Sequence, residues 1–274
     1  MTTYETAQNA YLTLSSTRFA YRLFGTPSTP TTVPLVFNMH FRGTMDYWDP
    51  LLLNPIAARR TILLVDNIGV GASSGRIPDS FTVWADYMVQ IIRALGFTSV
   101  DVFGFSMGGY IAQLIALQAP NLVRRLLVAG SGPSAGPGVG KGNAAYFQQL
   151  ALASEEGEVK AAFLHTFFSS KEGKQRAGEK WWSRMTAARK SGARYLTGDD
   201  VDLQLSAILK WCDSEYRKEG SYDRLGEIRC PVLVAGGKYV FFKFGEVEID
   251  MLTLRIGTIC SFQPRTAICC GRCW

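Results

Sequence analysis

Histidine is scarce in this 274-residue chain, which has only two, His40 and His165. That scarcity excludes a histidine-built metal centre, and the cysteines do not replace it. Four of the six cysteines, Cys260, Cys269, Cys270 and Cys273, crowd toward the C-terminus, far along the chain from either histidine. A zinc site there lacks its second pair of ligands, and a disulfide framework is not expected in a cytosolic chain. No run approaches the roughly 18–20 uncharged apolar residues that a membrane helix needs. The opening MTTYETAQ lacks the basic and apolar regions of a secretory leader, so a cytoplasmic location is expected.

Charge is sparse as well. With 19% charged and 47% hydrophobic residues, the chain is too apolar for a disordered protein and long enough for a buried core. The net charge of +6 owes much to the basic residues between Lys171 and Arg194. These read as a solvated helical face, with a surface for phosphate or lipid as the alternative. No nucleic-acid motif accompanies them. The expected partner is a small molecule, with no nucleic acid, membrane, protein partner, metal or organic cofactor.

What the chain does have is alternation. The apolar runs Val33 to Met39, Thr61 to Asp66, Ser99 to Phe105 and Val123 to Ala129 read as strands. An earlier strand is expected over Ser16 to Arg22. Ser80 to Leu95 and Gly108 to Gln118 carry apolar residues at helical spacing between them. Strands joined by helical crossovers predict an α/β fold, a mostly parallel sheet with helices on both faces. Strands that are apolar throughout agree with burial on both sides. From Ser134 to Ile228 the pattern is helical, and Cys230 to Gly236 returns to a strand. The expected organisation is a core over 1–133, a helical lid over 134–228, a core strand over 229–237 and a cysteine-rich tail over 238–274.

Between a predicted strand and a predicted helix stands Gly104-Phe105-Ser106-Met107-Gly108, a GxSxG sequence. The turn would strain Ser106, the glycines would remove clashing side chains, and the helix N-terminus would face the hydroxyl. A glycine-rich turn with an incidental serine is the plainer alternative. With it go His40-Phe41-Arg42-Gly43 after the first sheet strand and Asp66-Asn-Ile-Gly-Val-Gly-Ala-Ser73. The strand Pro231 to Gly237 completes the set.

In this order and spacing the motifs resemble the α/β-hydrolase fold superfamily, in its haloperoxidase-like and esterase-like branch. The resemblance implies a serine hydrolase acting on an ester or similar acyl group, with Ser106 as nucleophile. It implies backbone N–H groups of Met107 and Phe41 as the oxyanion hole. His40 would prop that loop, Asp66 would organise the following turn, and His40 and Trp48 are candidates for substrate contact. Trp84, Trp181 and Trp182 are either pocket lining or core.

Two parts of that machine are missing. The family order is Ser, then Asp or Glu, then His, yet the expected acid position holds Val240 and no histidine follows His165. Without imidazole the Ser106 hydroxyl is a poor nucleophile. Residues 238–274 lose the family's register, with no recognisable final strand or helix. Gly237-Lys238-Tyr239 can be encoded by GGT-AAG-TAT, which contains GTAAGT, the usual start of a eukaryotic intron. The expectation is a retained intron in the tail, an exposed sheet edge and poor soluble expression. Sequencing the mature transcript across these codons checks it. A ligand-binding protein without turnover is the alternative function.

Overall fold

The computed structural model describes residues 2–29, 33–139, 144–168, 170–189, 195–237 and the backbone of 256–262. Eight strands form one sheet: β1 (Ala10–Leu14), β2 (Thr17–Gly25), β3 (Leu35–Asn38), β4 (Thr61–Val65), β5 (Val100–Phe105), β6 (Val123–Ala129), β7 (Val232–Gly237) and β8 (Ile256–Phe262). Their spatial order is β1-β2-β4-β3-β5-β6-β7-β8. From β4 onward every pairing is parallel, whereas β1 with β2 and β2 with β4 run antiparallel. The mostly parallel sheet is therefore as the alternation predicts.

Strand β4, Thr-Ile-Leu-Leu-Val, is buried at every position, which is what helices on both faces require. The period of two sorts its side chains. Leu63 and Val65 join Val36 and Val102 under α2 (Phe81–Ala94) and α3 (Met107–Gln118). Ile62 and Leu64 join Leu35 and Phe37 on the other face, against α1 (Pro50–Ala57). Strand β1 was not foreseen. It is a sheet-edge strand with alternating half-exposed positions, so it lacks the apolar run that marks its neighbours.

Between β6 and β7 the chain is helical: α4 (Ala144–Leu152), α5 (Glu156–Phe167), α6 (Glu172–Ala188) and α7 (Asp199–Trp211). The ends of this insert are sewn to α3. Gln113 donates to the Gly132 carbonyl and accepts from the Ser221 hydroxyl at 2.8 Å, and Ser221 accepts from the Ser134 N–H.

The tail departs from expectation in one respect. A strand, β8, pairs in parallel with β7, so the edge of β7 is covered where an exposed edge was expected. Its Ile-Gly-Thr-Ile-Cys-Ser-Phe mixes β-branched and aromatic residues with small ones, so neither a continuous apolar run nor a period of two marks it. The remaining tail calls, among them Val240 and Cys269 to Cys273, lie outside the described residues.

Inside the sheet Asp101 is 1% exposed and is bridged by both Arg60 and Arg124. Burial alone would raise its pKa. The hydrogen bonds from Arg124 and Arg60 outweigh that and hold it below the usual carboxylate value. Replacing Asp101 with Ala leaves two guanidinium groups facing an apolar strand. A loss of about 2 kcal/mol is expected, because both arginines retain some access to water; the midpoint of urea unfolding reads it.

Candidate active site

Strand β5 ends at Phe105 and α3 begins at Met107, leaving Ser106 alone at the turn with φ 54 and ψ −125. A left-handed φ on a residue with a Cβ costs about 1–2 kcal/mol. Here the surroundings enforce it. The Ser106 N–H donates to the Ala129 carbonyl of β6 at 2.9 Å, and the Ser106 carbonyl accepts from Gly109 N–H at 2.8 Å.

The glycines are obligatory for contact reasons. A Cβ on Gly104 would run into the backbone of Gly108, and one on Gly108 into the carbonyl of Asn38 at the end of β3. Neither obstacle is a flexible side chain. Gly108→Ala should therefore destabilise the fold by about 2 kcal/mol, the scale of overpacking, visible as a lowered Tm.

The same close approach brings the loop after β3 beside the turn. The His40 ring lies 5.9 Å from that of Phe105, edge to face. Gly43 N–H donates to the His40 carbonyl at 3.1 Å, closing a four-residue turn with Arg42 at φ 66. Arg42 is held there by its own chain. Its N–H donates to Gln204 Oε1 at 2.8 Å, and its carbonyl accepts from Leu196 N–H at 3.2 Å. Met107 N–H opens α3, where no intrahelical acceptor exists. Phe41, in the loop after β3, and Met107, the first residue of α3, thus lie at the ends of the paired strands β3 and β5.

His40 is spent on this loop. Its Nδ1 lies 2.9 Å from the Phe41 carbonyl, so the neutral tautomer donates there. Burial lowers its pKa to about 4, against which the Phe41 carbonyl pulls only weakly. Asp66 acts as the turn organiser expected of it. Its Oδ1 accepts from Met45 N–H at 2.7 Å and its Oδ2 from Ala72 N–H at 2.9 Å, clamping the loops after β3 and β4 together. Burial raises its pKa to about 6 despite those two donors. A cavity of about 20 Å³ lies between Asn38, Asp66, Asn67 and Met107, room for about one water.

Trp48 is placed elsewhere. It is 5% exposed and packs edge-on against Phe37 and Phe103, in the core on the α1 side of the sheet. The aromatics that do cover the turn come from the insert. Phe167 lies 5.8 Å from Phe105, and Phe163 lies 5.2 Å from His40. Trp181, Trp182 and Tyr195 pack on Phe163 in turn. His165, on α5, has an exposed side chain.

Sequence reasoning missed Arg42, Gln204 and Tyr195. Gln204 carried a signal: it falls between Val201 and Ile208 on the apolar stripe of α7, where a polar residue implies a buried partner. Among the described residues no group of His, Cys, Asp and Glu could hold a metal ion, and no helix is long and apolar enough to cross a membrane.

The sequence profile of the alpha/beta hydrolase fold family matches residues 33–237. RutD of Rhizobium rhizogenes, whose name provisionally assigns it carbamate hydrolysis, is 28% identical over 76% of this chain and 74% of its own. The 2-hydroxymuconate semialdehyde hydrolase of a Pseudomonas strain is 34% identical over 30% of this chain and 29% of its own. Among solved structures, an alpha/beta hydrolase fold protein from Chitinophaga pinensis superposes with a TM-score of 0.79 at 28% identity. That match covers 95% of this chain and 90% of the other. Est816, described as an N-acyl homoserine lactone degrading enzyme, shares the fold at a TM-score of 0.63 and 22% identity, over 92% of both chains.

Proposed function

Because the chain belongs to the alpha/beta hydrolase fold family, we propose that its site is that of a serine hydrolase with Ser106 as nucleophile, impaired by the loss of acid and base. One observation carries the reading: a serine held at φ 54 between a strand and a helix, a conformation with a steric cost. The Ser106 oxygen would add to a carbonyl carbon. The new oxyanion would accept from the N–H groups of Met107 and Phe41, and the α3 N-terminus would add its partial positive charge. The leaving group would depart as the acyl-serine forms, and water would then release the acid.

The step that fails is proton transfer. In a working site an imidazole takes the hydroxyl proton and later returns it to the leaving group. His40 is buried with its Nδ1 on a backbone carbonyl, and burial disfavours its charged form. His165 lies on the exposed side of α5. The proton would have to leave to water.

The substrate class is an acyl compound, in keeping with relatives named for carbamate and N-acyl homoserine lactone chemistry. The helical insert would act as a lid whose aromatics line the acyl site. The packing of Phe163 and Phe167 onto the turn, together with the missing base, also favours a second reading in which the site binds without turnover.

A fluorophosphonate probe separates a reactive serine from a structural one. Slow, stoichiometric labelling that maps to Ser106 and vanishes in Ser106→Ala is expected. Labelling retained in that variant, or none after prolonged exposure, would reject Ser106 as nucleophile.

A further inference from the structure

Arg42 is 2% exposed, and among the described residues no carboxylate pairs with it. Five other arginines do meet one. Arg22 meets Asp46, Arg60 and Arg124 share Asp101, Arg184 meets Asp49, and Arg189 meets Glu156. The ionisable groups that act on Arg42 are instead the neutral hydroxyls of Tyr195 and Tyr47. Its own bonds go to main-chain carbonyls: Nε donates to Leu196 at 2.8 Å and Nη1 to Leu150. A carbonyl satisfies a donor and leaves the charge unbalanced. Buried charge without a counter-charge is costly and rarely kept without use.

Among the described residues, two more donors around Arg42 lack acceptors. Gln204 is fully buried; its Oε1 is taken by the Arg42 N–H, and its Nε2 has no hydrogen-bond partner. Tyr195, 8% exposed and next in the chain to Leu196, has a buried hydroxyl with no partner. A buried donor left without an acceptor is a standing cost to the fold. The surroundings are flat and aromatic: Tyr47 lies 3.6 Å from the Tyr195 ring, Trp182 stacks on it, and Phe163 and His40 complete the wall.

One positive charge and two idle donors, walled by aromatic rings, call for a ligand that is anionic, rich in acceptors and planar. We propose that Arg42, Tyr195 and Gln204 form a subsite for the carboxylate of an aromatic or similarly flat acid. The inference rests on the acyl site lying at the ends of β3 and β5, as proposed above. The carbonyls of Leu150 and Leu196 occupy the guanidinium in the ligand's absence. An incoming carboxylate displaces them and takes the stronger, charge-assisted bonds. Binding thereby loosens α4 and the 195–196 segment from the loop.

The test is isothermal titration of the full chain with benzoate and with benzamide, its uncharged analogue. Benzoate should bind about tenfold more tightly, the size of one charge-assisted hydrogen bond. Arg42→Met should abolish the preference. Because that variant also removes ties to the insert, Gln204→Glu provides the second arm. It keeps the acceptor for the Arg42 N–H and supplies the missing carboxylate in place, so benzoate should lose its advantage in a stably folded protein. Tyr195→Phe should weaken benzoate several-fold and leave benzamide unchanged. Equal binding of the two probes, no benzoate binding, or a preference that survives both Arg42→Met and Gln204→Glu would overturn the proposal. Ser106→Ala should bind benzoate like the native chain. The titration and the fluorophosphonate result therefore fail independently.

Discussion

Hydrolysis of p-nitrophenyl acetate by this chain should run about 10⁴- to 10⁶-fold below that of a relative with all three triad members, the measured scale of losing them. The more telling result is the comparison within the chain. In an intact enzyme, removing the serine removes most of the rate. On the proposed loss of acid and base, Ser106→Ala should change kcat by only a few-fold, because a serine without a proton acceptor would contribute little that water does not. What remains, up to about 10³–10⁴ over water, comes from binding and the oxyanion donors. Initial rates of native protein and variant, each corrected for buffer, decide it. A Ser106→Ala variant slower by a thousandfold would mean that an unrecognised base serves Ser106, and the impairment would have to be abandoned.

The second large effect is in stability against pH. Asp66 and His40 are both buried beside the site, and their shifts oppose each other. Asp66 rises to about 6 in the fold from 3.8. The native state therefore takes its proton first as pH falls, and stability increases between about pH 6 and pH 4. His40 falls to about 4 from 6.5. The unfolded chain takes that proton first, so stability decreases over nearly the same window. Each shift corresponds to about 3 kcal/mol. In the native protein the two contributions nearly cancel.

Single variants should uncover them. Relative to the native chain at each pH, His40→Gln should gain about 3 kcal/mol on going from pH 6.5 to pH 4. Asp66→Asn should lose about as much over the same range. Taking differences at equal pH removes the contribution of Asp101, Asp79 and the other carboxylates. Guanidinium unfolding at pH 4, 5 and 6.5 measures both, and two variants moving in the same direction would contradict the assignment.

The residues that announce themselves in sequence are those whose constraint is local. Gly104, Ser106 and Gly108 are legible because a strand-to-helix turn needs those residue types within five positions. Asp66 is legible because its Ala72 contact is six residues away. Strand β4 is legible because burial on both faces makes four of its five residues, Ile62 to Val65, apolar in an unbroken run. Strand β1 is not, since an edge strand shows only weak alternation. Trp48 illustrates the limit from the other side: a large aromatic near a candidate loop is equally at home in a pocket or a core, and the sheet face on which it falls decides. Arg42 reads as an ordinary loop residue, because the partners of its own hydrogen bonds lie more than a hundred positions onward.

That separation bears on how the protein comes to be folded. The turn around Arg42 is fastened by Leu150, Leu196 and Gln204, at chain separations of 108, 154 and 162 residues. Contacts so distant along the chain form late, since the intervening loop must close first. The elbow at Ser106 needs only β3, β5, β6 and α3, all present once the first half of the chain has emerged. The two halves of the candidate site therefore mature at different times. An early intermediate would carry a finished serine turn beside a loop still free to adopt an ordinary, unstrained conformation.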